Sequence, residues 1–167
     1  MPLLATLGLT TPPLGTNIPH LGPAALIFHF IFAYGVLSSR TLKQYYGIDH
    51  NSSPREDLTK YGEAAVQSGK ITRAQLNMLK RNESAHANAV ENYALLVAAV
   101  GLATVAGVER VVLNRAVAVY TIARVLYGIV YISVEREGLS QLRGVCWWTA
   151  NLSCLTLLWK AGGLLSS

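Results

Sequence analysis

Charge is scarce in this chain of 167 residues. Asp, Glu, Lys and Arg make up 14% of it, where a soluble domain carries roughly 25%. Hydrophobic residues reach 51%. That excludes a disordered chain, which needs low hydrophobicity and high charge. Cysteine is also scarce, and two residues at this length exclude a disulfide scaffold. Concentrated basic charge is missing as well: the net charge is +5, yet the 14 Lys and Arg are spread along the chain. With no basic stripe and no known nucleic-acid module, nucleic acid is excluded as a partner. The segment before Leu21 has no Lys or Arg, so it lacks the basic start of a secretory signal peptide. One domain remains, either a very apolar soluble bundle or an integral membrane protein.

The uncharged stretches decide between these. Leu21 to Ser39, Asn92 to Val108 and Gly144 to Trp159 contain no charged residue, and Ala116 to Val134 contain only Arg124. A helix needs about 20 mostly apolar residues to cross a bilayer core of about 30 Å. Each stretch meets that need, the second by borrowing residues from about Ala85 onward and the fourth by running on past Lys160 toward Ser167. A soluble bundle would carry a polar stripe on each helix at the helical period, and here the stripes are absent or narrow. The expected fold is all-α, an integral membrane four-helix bundle in one domain over 1–167. Its helices are expected over roughly 21–40, 74–107, 112–135 and 143–163, with a polar connection at 41–73. Pro12, Pro13, Gly15 and Pro19 make the segment before Leu21 a poor helix, read as a lead-in near the membrane surface. Pro23 sits near the first helix start, where its missing N–H matters least.

Thirteen charged residues fall between Arg40 and Glu83, the main soluble part. Residues 49–54 read as a loop, since Asn, Ser and Pro favour turns. Ser53 is expected to cap a short helix with Pro54 in its first position, and Gly69 to end it. Thr72 is expected to cap the next helix, which runs on into the second membrane span. Basic residues set orientation. The Arg40–Glu83 segment holds eight, and the third connection adds Arg136 and Arg143. The opposite end has Arg110, Arg115 and Lys160. The first and third connections are therefore expected in the cytosol, and both termini on the other side.

Ionisable residues inside membrane helices are costly, so each is a functional candidate. Glu91 and Arg124 are the two clear cases. On the second helix Arg81, Ser84, Asn88 and Glu91 step by three, four and three, which places them on one face; on the third, Tyr120, Arg124, Tyr127 and Tyr131 do the same. Arg40 closes the first helix and Arg143 opens the fourth. Together these make a cationic, tyrosine-rimmed cavity suited to a small anionic, hydrogen-bonding molecule, because Arg pairs bidentately with carboxylates. An apolar second substrate would enter from the lipid. Two plainer readings stand beside this: Glu91 and Arg124 as an interhelical ion pair, and Tyr127 and Tyr131 as interface-belt aromatics. Trp147 and Trp148 fit the belt better than a substrate contact. Cys146 and Cys154 read as buried small hydrophobes. His86 has no second ligand at metal spacing and His29 stands alone in an apolar helix, so no metal site is expected.

The run from Glu83 to Asn92, ESAHANAVEN, resembles the second-helix signature of the MAPEG family, the membrane-associated proteins in eicosanoid and glutathione metabolism. Arg124, Tyr127 and Tyr131 are similar to that family's third-helix motif. The long first connection looks most like the fungal branch. The resemblance implies a homotrimer in the endoplasmic reticulum membrane with luminal termini. Glutathione would bind between subunits as co-substrate, and hydrophobic electrophiles would approach through the membrane lipids. By position, Asn88 and Glu91 would hold the peptide part of glutathione, Tyr127 and Tyr131 would line the thiol end, and Arg40 would meet a carboxylate. Arg143 would stabilise the thiolate, with Arg136 as a competitor for that place. Arg81 would be a further binding residue, as would Arg124. The implied activity is a glutathione-dependent transferase or peroxidase with Arg143, Tyr127 and Glu91 as its catalytic set. The chain departs from the family pattern at Ser84 and Ala87, where many glutathione-using members carry arginines. That departure leaves two alternatives: a glutathione-independent isomerase, cyclase or epoxide-opening enzyme using Glu91 with a Tyr as acid–base pair, or a non-catalytic lipid-binding scaffold.

Overall fold

The structure is a computed structural model that describes residues 3–11, 15 and 17–166. Pro12 and Pro13, which carry part of the lead-in reading, lie outside the described residues. The regular structure among the described residues is all helical, with no strand. A single turn, α1 (Leu3–Thr6), precedes α2 (Gly22–Ile31), which continues as a π-helical segment over Phe32–Val36. The chain breaks helical form at Ser38 (φ −57°, ψ 119°) and resumes as α3 (Ser39–Tyr45). A second π-turn (Asp57–Tyr61) leads into α4 (Gly62–Gln67). Then come α5 (Arg73–Val105), α6 (Arg110–Ser133), the single turn α7 (Glu137–Ser140) and α8 (Leu142–Leu165).

Both ends of α5 have a local cause. Thr72 and Gln75 form a reciprocal capping box at the start of α5: the Gln75 N–H donates to Thr72 Oγ1 at 3.2 Å, and the Thr72 N–H donates to Gln75 Oε1 at 2.7 Å. Gly107 (φ +76°) ends the same helix in the left-handed conformation that glycine adopts without strain. The helix after the loop at 49–54 begins later than Ser53 and Pro54 predict. It opens at Asp57 behind Glu56, with no side-chain cap, because residues 54–56 form a turn first.

Three helical stretches are long and apolar enough to cross a membrane: Gly22–Tyr45, Arg73–Val105 and Arg110–Ser133. The fourth long helix, α8, carries all three tryptophans of the chain and packs most extensively on α6. The bundle core is small-residue rich, with Ala99, Ala103, Ala123, Ala150 and Ala161 buried among Leu96, Leu113, Tyr120 and Leu157. Small residues let helix backbones approach closely, which is how membrane helices gain packing contact. Gly128 on α6 is one such point: a Cβ there would meet Leu37 Cδ2 at 3.4 Å and Phe32 Cζ at 3.5 Å. Outward-facing Ile27, Ile31, Ile122, Ile129, Val145 and Leu152 are exposed, which leaves the bundle an apolar exterior.

One end of the bundle is tied by Asn114. Its side chain accepts from the Leu21 N–H at 2.9 Å and donates to the carbonyls of Thr6 at 3.1 Å and Pro19 at 2.8 Å. At the other end the 46–72 connection folds back as a cap with its own apolar core of Ile48, Leu58, Ala65, Ile71, Leu76 and Leu79. At 1.5 Å per residue, α5 is long enough to serve both, its first turns in the cap core and the rest in the bundle.

Candidate functional site

The cap meets the bundle through a buried ion pair. Lys43 Nζ lies 3.2 Å from Asp57 Oδ2 and 3.5 Å from Glu83 Oε1, and it also donates to the Pro54 carbonyl. Asp57 Oδ1 accepts from the backbone N–H of His50 at 3.0 Å and pairs with its Nδ1 at 2.9 Å. The His50 ring stacks on Tyr61 at 4.0 Å. Burial by itself pushes the Asp57 carboxyl up, but the His50 and Lys43 hydrogen bonds outweigh it and hold the carboxyl below the usual carboxylate range. A buried charge is tolerated only when paired and hydrogen-bonded, and this one is both.

Between cap and bundle lies a cleft of about 510 Å³. Arg40, Lys43 and Arg55 line one side, and Glu83, His86, Ala87 and Glu91 of α5 line the other. Arg40 forms an ion pair with Asp49 at 3.5 Å and donates to Asn51, so it is held against the cap rather than against α5. His86 is anchored by its Nδ1 on the Ala33 carbonyl at 2.8 Å.

A second group of polar residues follows the α5–α6–α8 seam. Arg124 is 2% exposed, and its Nη1 donates to Asn88 Oδ1 at 2.9 Å. Its guanidinium lies 4.6 Å over the Tyr127 ring, and the Tyr127 and Tyr131 rings are 5.4 Å apart. The Arg143 guanidinium then stacks 4.5 Å over Tyr131 while its Nε donates to the Ser140 carbonyl at 3.1 Å. Asn88, Arg124, Tyr127, Tyr131 and Arg143 thus form one continuous chain of contacts. Arg124 is bonded to Asn88 and not to Glu91, which is exposed, so these two charges form no interhelical ion pair. Glu91, one turn beyond Asn88, borders two surfaces: the cap cleft and a groove with Trp147, Trp148 and Asn151.

Arg81 is placed elsewhere. It donates from Nε to the Ile132 carbonyl at 3.0 Å and from Nη2 to Glu135 at 2.9 Å, which fastens the end of α6 to α5. Ser84 turns its hydroxyl to the Lys80 carbonyl at 3.1 Å. Among the described residues no three His, Cys, Asp or Glu gather as metal ligands. Sequence spacing does not predict the roles of Asn114, of the Lys43–Asp57 pair or of the contact of His29 Nε2 with Thr121 Oγ1 at 3.0 Å. Only His29 carries a signal, as a polar residue in an otherwise apolar run.

Comparison with known proteins adds one finding. The family model that describes the MAPEG family matches residues 21–163. No curated protein matches the chain, and no solved structure does.

Proposed function

The chain belongs to the MAPEG family, and from that premise we propose that it is a membrane-embedded, glutathione-dependent transferase or peroxidase acting on lipophilic electrophiles. The observation that carries the reading is the contact chain from Asn88 through Arg124, Tyr127 and Tyr131 to Arg143. It presents an amide, two phenols and a permanent cation along one wall. A free thiol has a pKa of about 8.5, and an adjacent Arg⁺ lowers it and raises the thiolate fraction. In this reading Arg143 holds the glutathione sulfur as thiolate, and the thiol proton leaves to water. The thiolate then attacks the electrophilic carbon, and a C–S bond forms as the C–O or C–X bond breaks. An oxygen leaving group takes its proton from Tyr127 or water. With a hydroperoxide, the thiolate sulfur attacks the terminal oxygen, the O–O bond breaks to give the sulfenic acid and an alcohol that takes its proton from water, and the thiol of a second glutathione displaces water from the sulfenic acid to give the disulfide.

Asn88 and Glu91 hold the peptide part, with Arg124 fixing Asn88. The bundle crosses the membrane four times with both termini luminal, in the endoplasmic reticulum, and assembles as a homotrimer. In such a trimer the site lies between neighbouring subunits.

The test is glutathione binding to the purified protein in detergent, followed by thermal shift and calorimetry. Saturable binding that Arg143→Ala and Glu91→Ala weaken is expected. No shift at millimolar glutathione would overturn the reading. Ser84 and Ala87 leave α5 without a cation next to Asn88, and this favours a second reading, acid–base chemistry by Glu91 without thiol. Turnover of an apolar substrate with no thiol present would select it.

A further inference from the structure

The cap cleft receives its positive charge from an unusual direction. From α5 it is lined by Glu83, His86, Ala87, Val90 and Glu91, which include no Lys or Arg. Its three cations come from α3 and the cap instead. Lys43 is buried and engaged with Asp57 and Glu83. Arg40 is partly engaged with Asp49 and Asn51. Arg55 is exposed and makes neither an ion pair nor a hydrogen bond with any described residue. Opposite it, Glu91 is exposed and likewise without an ion-pair partner among the described residues. Ala87 and Val90 leave the floor between them apolar and uncrowded.

A cleft with an uncommitted guanidinium on one wall and an uncommitted carboxylate on the other complements a zwitterion. A ligand carboxylate would meet the cation and a ligand ammonium the anion. The guanidinium fork matches a carboxylate bidentately, which the ammonium of a lysine does not. We propose that Arg55, carried on the cap, is a specificity-determining residue that receives one carboxylate of glutathione in this cleft. The proposal rests on the glutathione reading above. It assigns a role to the 46–72 connection, which supplies from outside the bundle a charge that α5 does not.

Calorimetry on the full-length protein in detergent tests this with wild type, Arg55→Ala and Arg55→Lys. The probes are glutathione and its two monoethyl esters, one blocked at the glycyl carboxylate and one at the glutamyl α-carboxylate. Loss of a charge-assisted hydrogen bond predicts about ten- to a hundredfold weaker glutathione binding by Arg55→Ala. One ester is expected to bind wild type and Arg55→Ala with equal affinity, because its carboxylate no longer needs the arginine. Arg55→Lys is expected to recover part of the loss. Wild type that binds glutathione while Arg55→Ala matches it within about twofold would overturn the role of Arg55 and leave the parent reading standing. An equal loss for glutathione and both esters would do the same. Wild type that binds none of the three would overturn both.

Discussion

Arg124 Nη1 donates to Asn88 Oδ1 over 2.9 Å, which ties α6 to α5 within the bundle. Truncating the acceptor leaves a buried guanidinium without its hydrogen bond. Asn88→Ala is therefore expected to lower stability by about 1.5–3 kcal/mol, the usual worth of a bond to a charged group. A double-mutant cycle with Arg124→Gln, read by thermal unfolding in detergent, checks it. Additive losses would mean that the two residues act independently.

Arg143 and Tyr131 predict a pH effect. If the guanidinium stabilises the thiolate, Arg143→Ala moves the acid limb of the kcat/KM profile to higher pH, because more base is then needed to ionise the thiol. Tyr131→Phe keeps the ring under Arg143 and leaves that limb in place. Tyr131→Ala removes a stacking contact worth about 0.5–1 kcal/mol and moves the limb part of the way. Profiles of the three variants that coincide with wild type would argue against a thiolate at this position.

Asp57 predicts how the cap responds to acid. Its carboxyl is held below the ordinary range in the folded chain. The stability it contributes is present in full above the ordinary carboxylate pKa, and is lost as pH falls through the depressed folded value. Protection against hydrogen exchange over the 46–72 connection, taken relative to the intrinsic exchange rate at each pH, should fall in that acid window. Asp57→Asn should exchange faster at neutral pH and lose most of this pH dependence. A wild-type cap whose protection stays constant through the window would contradict the assignment.

Gly128 separates fit from overpacking. A Cβ there comes into ordinary contact with Leu37 and Phe32, so Gly128→Ala is expected to be neutral or slightly stabilising. Gly128→Leu forces more atoms into that space, at about 1–3 kcal/mol. A melting series of the two variants distinguishes them, and equal destabilisation would place the constraint in the backbone instead.

Asn114 is fully buried and bonds three backbone groups of the N-terminal segment. Asn114→Ala orphans them, at about 1–3 kcal/mol for each group left buried and unpaired. Limited proteolysis ahead of Gly22 should become markedly faster, while cleavage in the 46–72 cap should not.

The helical class was legible because charge is excluded from long stretches, and period and length suffice to read that. Thr72 was legible because a capping box is a local pattern with Gln75 at its required spacing. The contact chain of Arg124, Tyr127 and Tyr131 follows from helical spacing, since i, i+3 and i+7 share a face. Other features depend on partners distant in sequence. Arg81 reads like a member of the Asn88 face, yet the end of α6 presents a free carbonyl at Ile132 and a carboxylate at Glu135, and these take it. Lys43 looks like a surface charge until the cap folds Asp57 over it. The π-helical segment at Phe32–Val36 has no pattern of its own in the sequence.

The two walls of the cap cleft differ mechanically. α5 is a single uninterrupted rod of 33 residues that runs from the cap core to Glu91 and beyond. The facing wall passes through the non-helical Ser38, where the chain leaves one helix and begins another. Opening the cleft by bending α5 would break helical hydrogen bonds, whereas rotating about Ser38 leaves the α5 ladder intact and works only against contacts between the walls. A ligand that needs a wider cleft must therefore turn the Ser38 joint against the packing of the cap on Leu76 and Leu79 and against the Lys43–Glu83 pair, so the grip of the cap on the rod, and not the rod itself, gauges ligand size.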